Sequence, residues 1–223
     1  MKKLLLSLLG CAALAGTAYA GDEKITRGYN SNDSLGCMML RECTDNVRRI
    51  TSIKDIQDSY PNSDYSAVAI EFNEMLDSLD KIGVMVFLGD QKYFPIGNRG
   101  VYHTVSNNFF LNDAFMGRQS TLMSVVRHEG WHAAQDCMAG TIDNSMIAII
   151  LREDDVPSIW REIAEKTYPK SVVPWEAEAS WAGRTENMTA DALAACATGK
   201  MWEIYEPTPL TREYLVKEGY ITK

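Results

Sequence analysis

The stretch STLMSVVRHEGWHAAQDCMA, residues 120–139, decides how the rest of this chain is read. Ser120 is a good N-cap, Gly140 stands in the stop position, and no proline interrupts the run, so the spacing predicts one helix over 120–139. At about 100° per residue, His128, His132, Gln135 and Asp136 share one stripe of that helix, with Glu129 at its edge. Two neutral imidazoles four residues apart can hold one Zn²⁺, and a carboxylate beside them can take a proton from a water there. The chain has three histidines and this H-E-x-x-H pentapeptide uses two of them, which makes chance the poorer account.

The residues after the pentapeptide narrow its meaning. The metzincin pattern H-E-x-x-H-x-x-G-x-x-H needs glycine at 135 and histidine at 138, where the chain has Gln135 and Met138. An aspzincin-like G-T-x-x-D is one residue short in Gly140-Thr141-Ile142-Asp143. Further on, PWEAEASWAGR, residues 174–184, places two glutamates near the start of a helix.

With that segment, residues 120–184 resemble the gluzincin clan of zinc metallopeptidases, in which a glutamate on a later helix completes the metal site. The resemblance aligns Glu176 with the family glutamate as third ligand, with Ala179 at the small-residue position and Ser180 where the family has aspartate; Glu178 is the alternative ligand. It implies an exported enzyme that hydrolyses peptide bonds with a Zn²⁺-activated water, Glu129 as general base, and a peptide substrate lying along a sheet edge. It also implies an oxyanion donor opposite Glu129, for which Tyr102, His103, Tyr168 and Tyr205 are available. Asp136 is placed to orient an imidazole, and Gln135 to lie over the metal face near substrate. Gly130, costly inside a helix, is expected to mark close packing near the metal. The alternative from a different class is a catalytically inactive, zincin-like exported domain with a structural or binding role.

Outward from the motif, the chain reads as one α+β domain, residues 21–223, after a signal peptide over 1–20. Lys2 and Lys3 precede an apolar run too short to span a membrane, and Ala18-Tyr19-Ala20 forms the cleavage site. Leu8-Leu9-Gly10-Cys11 faintly resembles a lipoprotein box. The expected location is periplasmic or extracellular, with no stable membrane insertion after signal removal. A formal net charge of −8, which grows more negative without Lys2 and Lys3, argues against nucleic acid as a partner. Four cysteines remain, and the expected pairs are Cys37 with Cys43 and Cys137 with Cys196. Asn187-Met188-Thr189 is a formal glycosylation sequon.

Residues 21–44 read as an irregular arm. A helix comes next over about 64–80, and then short, mostly antiparallel strands within 84–88, 100–105 and 108–111. After the motif helix come helices expected at 145–152, 157–166, 174–184 and 189–199. The order is a helix, a small sheet, then a helical region carrying the H-E-x-x-H helix and a later glutamate helix.

Overall fold

Strands form where the apolar period shortens to two. Val86, Leu88, Phe109 and Leu111 share one face of the sheet, and Phe87 and Phe110 the other, all buried. The computed structural model describes residues 33–143 and 145–222, and all structural statements concern these. The expected signal peptide with Cys11, the first part of the arm and Asn144 lie outside them.

The elements run α1 (Ser34–Met39), β1 (Arg48–Ile50), α2 (Ile53–Ser59), α3 (Ala69–Lys81), β2 (Met85–Gly89), β3 (Gly100–His103), β4 (Asn108–Asn112), α4 (Gln119–Met138), α5 (Ser158–Thr167), α6 (Val173–Ala182), α7 (Met188–Ala197), α8 (Met201–Ile204) and α9 (Pro209–Lys217). The sheet order is β1-β2-β4-β3. β1 pairs with β2, and β3 with β4, antiparallel; β2 and β4 pair in parallel, so the sheet is mixed. That parallel register sets Phe87 opposite Phe110, whose rings stack with centroids 5.3 Å apart. These two rings cover Met38 of α1, and the opposite face meets Phe72 and Leu79 of α3 and Leu122 and Val126 of α4.

α4 is the central element of the helical layer. It starts from Arg118 rather than Ser120, which lies inside the first turn, and ends at Ala139 just before Gly140. A bidentate ion pair between Arg127 and Glu71, at 2.7 and 2.5 Å, ties α4 to α3, and Glu71 also accepts the Asn187 N–H at 2.9 Å. Thr189 of α7 donates to the Arg127 carbonyl at 2.8 Å. Gly130 faces α7, where an added Cβ would lie 3.0 Å from Thr189 Cγ2 and 3.5 Å from Leu193 Cδ1. Its close packing is therefore with a helix on the far side from the histidines. Both expected disulfides form, and Cys137–Cys196 fastens the end of α4 to α7. No helix among the described residues is long and apolar enough to cross a membrane.

The structure adds α2, α8 and α9 to the expected helices and corrects the sequence reading in three further places. Part of the arm is helical, as α1. β1 is an addition to the expected strands, because only Ile50 of its three residues is buried and no alternation shows. No helix forms over 145–152: the Ala148 N–H bonds to the Gln135 carbonyl, and the Ile150 and Leu151 N–H groups bond to Glu178, so tertiary acceptors replace a helical ladder.

Candidate metal centre

Three side chains from two helices converge on the floor of an open cleft of about 610 Å³. α4 supplies His128 and His132, one turn apart, with ring centroids 4.9 Å apart. α6 crosses α4 and supplies Glu176 from its first turn, where a carboxylate also suits the helix dipole. The crossing is close because position 183 is glycine: an added Cβ would lie 3.0 Å from the Ser124 carbonyl and 3.3 Å from His128 Cβ. On the opposite wall β3 lies against α4, and a Cβ on Gly100 would lie 2.5 Å from Val125 Cγ1 and 3.2 Å from Glu129 Cγ. Two glycines thus let a strand and a helix close on the motif from either side.

Glu176 Oε2 lies 3.4 Å from His128 Nε2, Oε1 lies 3.7 Å from His132 Nε2, and one donor atom from each of the three residues falls within 4.8 Å of the others. Ligands about 2.1 Å from a tetrahedral ion stand roughly 3.4 Å apart, so the spacing fits a metal. Glu176 Oε2 is buried without a well-formed hydrogen bond, a cost that a cation among the three groups would offset. The group can hold a metal ion.

The two imidazoles differ. Burial and the neighbouring His128 push the His132 pKa down, keeping it neutral. Burial also opposes charge on His128, but the Glu176 carboxylate and nearby Glu129 outweigh it and raise its pKa. For Glu176, burial is likewise outweighed, here by the two histidines, and its carboxyl is held below the usual range. A metal would bind the unprotonated imidazoles and the carboxylate, so protons compete with it at this site.

Behind His132 stands Gln135, fully buried rather than over the metal face. Its Nε2 donates to Glu178 Oε2 at 2.8 Å and to the Trp175 carbonyl at 3.2 Å, which turns its Oε1 toward His132 Nδ1 at 2.7 Å. The amide can only accept there, so Nδ1 carries the His132 proton and Nε2 presents its lone pair to Glu176. Glu178 points away from the histidines' Nε2 atoms. It accepts from Trp131 Nε1 at 3.1 Å, Gln135 Nε2 at 2.8 Å, Ile150 N at 3.1 Å and Leu151 N at 2.6 Å. The alternative third ligand is therefore a buried anchor. Burial raises its pKa, opposed by those donors. Ser180, where the family has aspartate, lines the cleft.

Glu129 is beside the histidines, with Oε2 accepting the Tyr102 N–H of β3 at 2.9 Å. Of the four oxyanion-donor candidates, Tyr168 lines the cleft and faces Glu176; burial and that carboxylate raise its pKa, so it stays a protonated donor. Tyr102 also borders the cleft, but its hydroxyl is buried on Asp136 at 2.7 Å. That bond gives Asp136 a strand-anchoring role that the helical stripe did not suggest. His103 Nδ1 meets Ser106 Oγ at 2.7 Å outside the cleft, and Tyr205 is outside it too. Trp160 of α5, a tryptophan the sequence suggests as core or pocket wall, forms an apolar wall of the cleft with Ile163, which carried no recognisable sequence signal. In comparisons with known proteins, no family model, curated protein or solved structure matches this chain.

Proposed function

We propose that the chain is an exported zinc metallopeptidase of gluzincin type. The observation that carries this reading is the convergence of a donor-poor, partly buried carboxylate, Glu176, with His128 and His132 beside Glu129 in an open cleft. His₂Glu is a catalytic rather than structural zinc set, since three protein ligands leave a position open. When bound there, zinc supplies Lewis acidity and makes water a nucleophile near neutral pH. Glu129 takes a proton from the attacking water and delivers it to the leaving amine nitrogen. Tyr168 donates its hydroxyl to the carbonyl oxygen as charge grows on it. The substrate peptide lies between β3 and the α5–α6 wall. Two disulfides suit an oxidising, extracytoplasmic location.

Purified mature protein is expected to carry about one equivalent of zinc and to hydrolyse peptides. Glu129→Gln is expected to abolish hydrolysis while zinc is retained, as measured by metal analysis and a quenched-fluorescence peptide assay. Full activity in that variant removes the mechanism, and zinc binding without hydrolysis in the wild type favours a non-catalytic domain.

A further inference from the structure

The cleft continues past the metal centre, and its charge changes sign as it does so. Glu129 and Glu176 are the carboxylates that line it, both at the histidines, and Arg99 and Arg184 are its cations, one on each wall. A second hollow of about 570 Å³ shares Ser124, Gly183 and Arg184 with the cleft and adds Arg118, Gln119 and Ser120. Together they make one groove along α4, from the pentapeptide toward the first turn of the helix.

Arg99 precedes Gly100 and Arg184 comes directly after Gly183, the two glycines packed against Glu129 and His128, so each arginine departs one residue from a motif contact. Arg99, Arg118 and Arg184 are all exposed, and none enters an ion pair among the described residues. Arg99 stacks over Phe115, 5.5 Å from the ring centroid, which steadies the guanidinium while leaving its N–H edge open. The opposing charge is small. Arg127, deeper in the second hollow, is neutralised by Glu71, and Glu186 is the one carboxylate lining that hollow. The whole groove holds three unpaired guanidiniums and three carboxylates, but Glu129 and Glu176 stand at the histidines, so beyond them, in a chain of net charge −8, three guanidiniums face Glu186 alone, a local reversal of sign.

Building on the metallopeptidase reading, we propose that this groove selects substrates with acidic residues close to the scissile bond, on the side that runs toward the first turn of α4. Guanidiniums match carboxylates two bonds at a time, and the two wall arginines bracket an extended chain passing between them. Arg118 extends the preference to residues farther from the bond.

The test uses the full mature chain as Glu129→Gln with zinc, so that a peptide binds without being cut. Fluorescence polarisation compares two labelled decapeptides that differ only in carrying four glutamates or four lysines. The acidic peptide is expected to bind roughly tenfold more tightly in low salt and to lose most of that preference in about 0.5 M salt. Arg99→Ser/Arg118→Ser/Arg184→Ser, all surface changes, is expected to abolish the preference, whereas Arg48→Ser at the far sheet edge is expected to keep it. Equal binding of the two peptides, or a preference that survives the triple change, overturns the proposal. If the wild type hydrolyses peptides without regard to their acidity, the enzyme stands and this specificity falls. If acidic peptides bind but none is hydrolysed, the groove stands and the peptidase falls.

Discussion

Helix α6 separates two regions that treat the same side chain in opposite ways. Glu176 faces the open cleft, with a buried oxygen that no donor satisfies; Glu178, two residues later, faces a sealed interior where four donors converge on it. Glu178 is the more deeply buried of the two, yet it is the better satisfied. What separates the candidate metal ligand from the structural anchor is the supply of N–H groups: the carboxylate that lacks them has an oxygen available to a cation. Gln135 joins the regions, since its amide takes its orientation from Glu178 and passes it to His132.

The largest expected effect breaks that contrast outright. Glu178→Ala leaves buried donors without an acceptor and is expected to cost about 3 to 5 kcal/mol in urea unfolding. Glu176→Gln should cost the metal-free fold much less than Glu178→Ala does, while abolishing tight zinc binding. If the two substitutions have interchangeable effects, the division of roles fails. A smaller effect is expected from Gln135→Leu, which removes the imidazole's partner: zinc affinity by chelator competition should fall roughly 10- to 100-fold. An unchanged affinity would mean that Glu178 does not act on the metal site through Gln135.

The smallest effect concerns pH. Burial raises the Glu178 pKa in the folded state, so its contribution is fully present below the ordinary carboxyl value of 4.5 and is lost as pH rises through the folded value. Glu176 is shifted down, so its contribution is present above 4.5 and is lost as pH falls through its lower folded value. Unfolding midpoints of the metal-free protein tracked from pH 4 upward should therefore separate wild type from Glu178→Gln progressively just above 4.5. Parallel profiles would contradict the upward shift.

How much of this was legible in the sequence depends on how local the cause was. The pentapeptide fixes its own geometry, because helical spacing alone stacks His128 over His132. Glu176 was readable as the preferred glutamate through its setting in PWEAEASWAGR, with Glu178 left open as the alternative. That choice is made by the Ile150 and Leu151 amides, which reach α6 only in the folded chain. The same contacts defeated the helix expected at 145–152, where apolar residues such as Met146, Ile147 and Ala148 favour a helix locally and a tertiary acceptor overrides them. Gln135 stands on the right stripe for the wrong reason: periodicity gives the face of a helix, not which neighbour occupies it. β1 left no trace, since three residues with one buried position carry no period.

The Tyr102–Glu129 hydrogen bond has a consequence for solubility. β3 borders the sheet, and its outward N–H groups at Gly100 and Tyr102 are taken up by Asn98 Oδ1 at 3.1 Å and Glu129 Oε2 at 2.9 Å. The opposite border, β1, is three residues long and carries Arg48 and Arg49. Neither rim therefore offers a long ladder on which a second chain could polymerise. One of the caps that guards against such self-association is the side chain proposed as the catalytic base.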